Sequence, residues 1–308
     1  MVYLFYFRCR FEYTVMINEF LQYLQYEKNY SFHTVLSYRT DLYQFCEFLA
    51  IKPQEINPID IRSQQIQQWT LSLMSAKISA RSLSRKISTL KSFWKFLLVR
   101  GLAKQDPTLK IILPKTKKPI PAFFKENEMG TVLDNKFIPD DFKSTRDQLI
   151  ISIFYQTGIR LAELISIEDK DVDLINENLR IIGKRNKQRI IPISNALCRE
   201  ISEYIELRNS KIEILAANLF LRENGQKLYP KLIYNMVHTT MSGVSSLHKR
   251  SPHVLRHTFA TSILNGGADI NAVKDLLGHS SLAATQVYTH TSFEELNNIY
   301  KHAHPRAK

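Results

Sequence analysis

The stretch GLAKQDPTLKIILPKTKKPIPAF, residues 101–123, decides how the chain is organised. Gly101, Pro107, Pro114, Pro119 and Pro121 interrupt any regular element, because proline fixes its own φ and removes a backbone donor. Lys110, Lys115, Lys117 and Lys118 sit close together within it. We read residues 102–122 as a linker, with a domain at 16–101 before it and another at 123–308 after it. A length of 308 residues suits two domains of roughly 150 residues each.

Upstream of the linker, apolar residues recur at helical spacing in four segments, 16–27, 32–49, 59–75 and 79–100, with Ser31 or Asp60 as natural helix starts. At 100° per residue from Arg81, the residues Leu83, Ile87, Leu90, Phe93, Trp94 and Leu97 fall within about 120–240°. That arc is the core face. Arg81, Ser84, Arg85, Ser88, Lys91, Ser92 and Lys95 occupy the opposite side, where cations and short hydroxyls suit contact with phosphates.

Charge points the same way. The chain holds 42 Lys and Arg against 29 Asp and Glu, a net +13. Residues 1–120 carry 18 basic and 8 acidic side chains (+10), and the remainder carry 24 and 21 (+3). Asp106 is the sole acid between Arg62 and Lys118, whereas a surface that is merely soluble mixes both signs. A polyanionic partner, double-stranded DNA, fits this asymmetry.

Downstream, helical periodicity covers 125–135, 140–166, 194–209, 230–246 and 253–301. Between them DVDLINENLRIIGKRNKQRIIPI, residues 171–193, alternates in polarity and carries turn signals at 176–178 and 184–187, the pattern of a short antiparallel sheet. The expected fold is therefore mainly α, with one small antiparallel β-sheet in the second domain.

Several classes are excluded. The composition, 44% hydrophobic and 23% charged, suits a packed core. The longest apolar run, Leu149–Tyr155, falls far short of the ~20 residues of a membrane span, so no membrane role is expected. Cys9, Cys46 and Cys198 form no CxxC pair and no even set, which argues against a disulfide framework or zinc site and for a reducing cytoplasm. Residues 1–15 lack a small-residue cleavage site and carry Arg8, Arg10 and Glu12; they make a poor signal peptide, and Met16 is the expected start.

Polar groups gather near the C-terminus: His253, Arg256, His257, His279, Tyr288 and His290. His253 and Arg256 lie three apart on a helix begun by Ser251-Pro252, so both can reach one anion. The HVLRH segment is no zinc-hydrolase motif, because Val254 stands where a glutamate is needed. A helix ends at Gly278 and leaves His279 on a loop, while His302 and His304 read as tail residues. In the tail FEELNNIYKHAH, 293–304, Phe293, Leu296 and Ile299 or Tyr300 form a small apolar face.

The motifs TGIRLAEL (157–164), IIGKRNKQR (181–189), SPHVLRHTFAT (251–261), LLGHSSL (276–282) and QVYTH (286–290), in this order, resemble those of the tyrosine recombinases, and of the Xer type among them. The resemblance runs from about Met16 to near the C-terminus. It implies a helical core-binding domain and an α+β catalytic domain that clamp duplex DNA. It further implies a catalytic set of Arg160, Lys184, His253, Arg256, His279 and Tyr288, with Tyr288 as nucleophile in a 3′-phosphotyrosyl mechanism that needs no metal and no cofactor.

The residue types suit that chemistry. Two guanidiniums, Arg160 and Arg256, can clamp the non-bridging oxygens of a phosphate. His253 would serve Tyr288 as base or hydrogen-bond partner, Lys184 would protonate the leaving 5′-oxygen, and His279 would bond the phosphate. Arg81, Arg85, Lys91, Lys95, Lys187 and Arg189 are candidate contacts to DNA. Glu163 either orients Arg160 or forms an ordinary exposed pair with it. Arg185 stands where this family commonly has glycine, which narrows the turns open to the hairpin tip.

The resemblance also implies a tetramer, of this chain or with a paralogous recombinase, on two DNA sites. A DNA translocase of the division machinery is a further implied partner, and the terminal helix is expected to dock on a neighbouring subunit. Chromosome dimer resolution is the leading reading of the role. The alternatives are an integrase of a mobile element, a DNA-binding protein that does not cut, and a relaxing topoisomerase.

Overall fold

A computed structural model describes residues 16–112, 122–134, 141–183, 187–278 and 293–307. The chain divides into two compact units, Met1–Pro119 and Ile120–Lys308.

The first unit is helical. Helix α1, Met16–Gln22, runs into a π-helical turn at Tyr23–Glu27, and α2, α3 and α4 follow at Phe32–Phe48, Ser63–Ser75 and Ala80–Val99. Ser31 caps α2 as expected, its hydroxyl accepting from the Thr34 N–H. Asp60 does not start α3. It sits in the preceding turn, accepting from the Asn57 amide at 2.8 Å, and Arg62 occupies the cap position.

All six residues of the expected core arc on α4 are buried. They meet aromatic partners from the other helices: Phe20 lies edge-on to Phe93 at 5.3 Å, and Phe45 edge-on to Trp94 at 6.3 Å between ring centres. Burial of each such side chain contributes roughly 1.5–3 kcal/mol.

A polar cluster lies inside this core. Asp41 of α2 is fully buried and accepts from Lys86 Nζ at 3.0 Å, from Thr89 Oγ1 at 3.0 Å and from Arg85. Lys86 is buried too, and its ammonium lies 6.0 Å from the centre of the Trp69 ring. Residues at the start of the expected linker join this unit, since Leu102, Ala103 and Ile111 pack on its core and Ser63 Oγ donates to the Pro107 carbonyl at 2.8 Å.

The second unit is built around α6, Phe142–Thr157, which follows α5, Glu126–Asp134. Every residue from Leu149 to Thr157 is buried, so α6 has protein on all sides. The helix starts on the Asp141 carboxylate and stops at Gly158, where φ is +59°. A Cβ there would lie 2.3 Å from Phe259 Cδ1 and 2.9 Å from Leu277 Cδ2, so only glycine fits.

Helix α7, Leu161–Ser166, leads into a three-stranded antiparallel sheet: β1 Val172–Asp173, β2 Asn178–Ile182 and β3 Gln188–Pro192, in that order. Ile181 opposes Arg189 across the hairpin, and the Gly183 N–H donates to the Lys187 carbonyl at 2.7 Å. Leu179, Ile181 and Ile191 face the core.

Helices α8 Asn195–Lys211, α9 Pro230–Ser242, α10 Pro252–Asn265, α11 Ile270–Leu277 and α12 Phe293–Ala303 complete the unit. The periodic run expected over 253–301 is thus broken among the described residues, first at Gly266-Gly267 and then at Gly278, whose φ is +63°.

The tail packs on its own unit. Tyr300, Ala303 and Ala307 are buried against Phe259, Ile263, Val273, Leu276 and Leu277. A Cβ on Gly266 would lie 2.1 Å from the Ala303 carbonyl oxygen, so glycine permits the close approach of α10 and α12. His304 is not a loose tail residue. It is buried, its Nε2–H donates to the Tyr155 carbonyl at 3.1 Å, its ring stacks on Tyr300 at 5.4 Å, and its Nδ1 accepts the Arg306 N–H at 3.1 Å. Sequence periodicity marks apolar stripes and passes over a histidine whose bonds satisfy it in the core.

Candidate active site

Three arginines from three elements meet at the C-terminus of α11. The Leu276 carbonyl accepts from Arg189 Nε at 3.0 Å, the Leu277 carbonyl from Arg256 Nη2 at 2.7 Å, and the Gly278 carbonyl from Arg160 Nη2 at 3.1 Å. The last carbonyls of a helix have no partner inside it and form the negative end of its dipole, so cations are favoured there.

Arg160 immediately precedes α7, placed by the reversal of the chain at Gly158. Its own N–H and its Nη1 both donate to Glu163, at 2.9 and 2.8 Å. The Arg160 side chain remains 38% exposed, so the guanidinium keeps an open side.

Arg256 lies on α10, one turn after Pro252. It is buried, and Nη1 donates to the Gly158 carbonyl at 2.5 Å. Burial, and then the nearby charge of Arg160, pull its pKa down to about 10, which leaves it protonated at neutral pH. Two expected catalytic residues, Arg160 and Arg256, are therefore brought together. His253, the third, is exposed on the same helix one turn before Arg256. Lys184, His279 and Tyr288 lie outside the described residues, as does Arg185.

Glu163 is no exposed pair partner. It is 5% exposed, and although burial works to raise its pKa, donors from Arg189 and Arg160 hold the carboxyl below its ordinary value. Three guanidiniums around this one carboxylate leave a cationic centre, as a phosphodiester would require.

Arg189 differs from the expectation. Its side chain is 14% exposed, and its guanidinium is engaged with Glu163 and the Leu276 carbonyl rather than presented to solvent. The signal for it was weak, because Glu163 and Arg189 are 26 residues apart on different elements. Lys187 is exposed. In the first unit Arg81, Arg85, Lys91 and Lys95 are all exposed along α4, and Arg85 also bonds Asp41. Among the described residues no group of three or more His, Cys, Asp or Glu could hold a metal ion, and no helix is long and apolar enough to cross a membrane.

Comparison with known proteins places this arrangement. Residues 123–295 match the phage integrase family, and residues 17–101 match the phage integrase N-terminal SAM-like domain. The tyrosine recombinase XerC of Chlorobaculum tepidum is 34% identical over 317 residues, covering 94% of this chain and 94% of that one. The tyrosine recombinase XerD of Staphylococcus saprophyticus is 37% identical over 295 residues, covering 95% and 99%. Among solved structures, the XerH site-specific recombinase bound to difH substrate in a pre-cleavage complex is 20% identical with a TM-score of 0.69, each chain covered to 94%, a likeness in fold. The chain therefore belongs to the phage integrase family and is a tyrosine recombinase of the Xer type, a DNA breaking-and-rejoining enzyme.

Proposed function

We propose that this recombinase cuts and rejoins duplex DNA at a specific site through a 3′-phosphotyrosyl intermediate on Tyr288, and serves in chromosome dimer resolution. The observation that carries the reading is the convergence of Arg160 and Arg256 on adjacent carbonyls, Gly278 and Leu277, immediately before the segment holding His279 and Tyr288. Kinship with Xer recombinases over nearly the whole chain supports the cellular role. The activity belongs in the cytoplasm, where the DNA is.

In this scheme the Tyr288 oxygen attacks the scissile phosphorus and the bond to the 5′-oxygen breaks. The tyrosyl proton passes to His253 or is held by it, and Lys184 supplies the proton that the 5′-oxygen takes up. Arg160 and Arg256 bear the charge that grows on the non-bridging oxygens, and His279 adds a donor. The bond energy is retained in the phosphotyrosine, so a second strand's 5′-hydroxyl can reverse the step. Arg81, Arg85, Lys91, Lys95 and Lys187 serve as backbone contacts.

Exchange requires four copies of the active centre on two duplexes, contributed by this chain alone or with a paralogous recombinase. A DNA translocase of the division machinery is the proposed activator.

The test is covalent trapping. The protein is incubated with a fragmented, nicked pool of host DNA, run on a denaturing gel, and the attached DNA is sequenced. An adduct that Tyr288→Phe abolishes, carrying one recurrent sequence, is expected. Binding without any adduct, even with a paralogous recombinase and translocase supplied, would overturn the reading in favour of a DNA-binding protein that does not cut.

A further inference from the structure

Arg189 lies at the junction of the elements that build the cationic centre. It stands on β3 opposite Ile181, and its guanidinium bonds the C-terminus of α11 through Leu276 and α7 through Glu163. The contact to Glu163 is two-pronged, Nη1 to Oε1 at 3.1 Å and Nη2 to Oε2 at 2.7 Å. Gly278 leaves room for it, since a Cβ there would meet Nη1 of Arg189 at 3.1 Å and its Cδ and Cζ at 3.2 Å.

The carboxylate of Glu163 takes four donors: two from Arg189, one from the Arg160 side chain and one from the Arg160 backbone. A carboxylate presents about four lone-pair sites, so the set is complete. A buried carboxylate must find donors, because an unpaired charge in a low-dielectric site is costly. Without Arg189, Glu163 would have the Arg160 guanidinium as its remaining charged donor, and Arg160 would turn towards it and away from Gly278. Charge gives the same result: with Arg189 offsetting Glu163, Arg160 and Arg256 are both left as surplus positive charge for a phosphate that carries one negative charge.

We propose that Arg189 is a positioning residue of the cleavage centre, which saturates Glu163 and so frees the Arg160 guanidinium to face the scissile phosphate. The inference rests on the cleavage reading above. It assigns Arg189 a role other than DNA backbone contact.

The experiment compares the full-length protein with Arg189→Gln and Arg189→Lys on the nicked duplex recovered by trapping, with either an ordinary phosphodiester or a methylphosphonate at the scissile position. A methylphosphonate carries no charge and has less need of the clamp. Arg189→Gln is expected to slow single-turnover cleavage of the phosphodiester by at least tenfold, while affinity and its salt slope stay at wild-type values. On the methylphosphonate the loss should shrink to a few-fold. Arg189→Lys, which keeps the charge without the planar fork, should fall between the two.

Equal losses on both substrates would overturn the proposal and leave Arg189 a merely structural residue. A salt slope lowered by ~1, with cleavage per bound complex unchanged, would overturn it in favour of a phosphate contact. A second arm needs no cleavage and so separates this proposal from the reading beneath it. Arg189 helps keep Glu163 ionised, so acid unfolding of Arg189→Gln should begin at a higher pH than that of the wild type, and the difference should vanish in a Glu163→Gln background. Identical acid profiles would overturn the tie itself, whereas a shifted profile with no wild-type adduct would fault only the cleavage reading.

Discussion

Arg160 and Gly278 are 118 residues apart in the chain, and the Arg160 guanidinium donates to the Gly278 carbonyl at 3.1 Å. The bond joins the turn after α6 to the end of α11, and both ends depend on a glycine with positive φ, Gly158 at +59° and Gly278 at +63°. An arginine of the proposed clamp is therefore oriented by backbone whose shape only glycine adopts cheaply.

Gly278→Ala tests this dependence. The left-handed conformation costs a residue with a Cβ about 1–2 kcal/mol, and the new methyl would press on Arg189 at 3.1–3.2 Å. Chemical denaturation should show a loss of about that size. Single-turnover cleavage should fall further than DNA affinity does, because the carbonyl moves relative to Arg160. A variant with wild-type stability and cleavage would mean that α11 can end in other ways.

The cationic face of α4 divides into two kinds of arginine. Arg81 is exposed and makes no hydrogen bond or ion pair among the described residues, whereas Arg85 bonds the buried Asp41 and the Ser37 carbonyl. Arg81→Ala should lower the salt slope of DNA binding by ~1 and leave the melting temperature unchanged. Arg85→Ala should lower both. A slope that neither change moves would place DNA on another face of the first unit.

Asp41→Ala should be the most damaging change in that unit. It removes the carboxylate that pairs with the buried Lys86 ammonium, leaving that charge only the neutral Gln44 oxygen, and breaking a buried charge pair by removing one partner costs about 3–5 kcal/mol. Equilibrium unfolding in urea measures it. Adding Lys86→Met to the same chain should recover part of the loss, and no recovery would mean that the stranded charge is not its source.

What could be read in the sequence followed from local rules. Periodicity located the helices and the buried arc of α4, the Ser31 cap opened α2, and Gly278 ended α11. Spacing on one helix placed His253 and Arg256 together. What escaped were pairings between distant polar groups, most of them charged. Asp41 with Lys86 spans 45 positions, Glu163 with Arg189 spans 26, and His304 reaches Tyr155 across 149. Such groups read as solvated, because a charge is expected outside unless its partner is known. Only the fold supplies the partner, which is why Arg189 read as a surface cation.

Deletion of residues 292–308 is expected to do two things. It removes Tyr300, Ala303 and His304 from the faces of Phe259, Ile263 and Leu276, so the melting temperature should fall. If the tail also docks on a neighbouring subunit, as the kinship implies, DNA binding should become monomeric and uncooperative. Sedimentation of the complex on two-site DNA distinguishes the effects: unchanged assembly with lowered stability would confine the tail to its own unit.

His304 makes that tail sensitive to acid. Burial pulls its pKa from 6.5 down to about 4, against the smaller upward pull of its bond to the Tyr155 carbonyl, and Arg306 nearby adds to the fall. The neutral ring is needed, since Nδ1 accepts the Arg306 N–H while Nε2 donates to Tyr155. Below about pH 6.5 the unfolded chain binds a proton on this histidine while the folded chain does not until about pH 4. The folded state is therefore stabilised fully above that window and loses stability as pH falls through it, by up to about 3 kcal/mol. Unfolding measured at steps between pH 7 and pH 4 should show a steeper decline for the wild type than for His304→Gln, and hydrogen exchange should show α12 losing protection first. Parallel declines in the two proteins would mean that the buried ring is not what ties the tail's stability to pH.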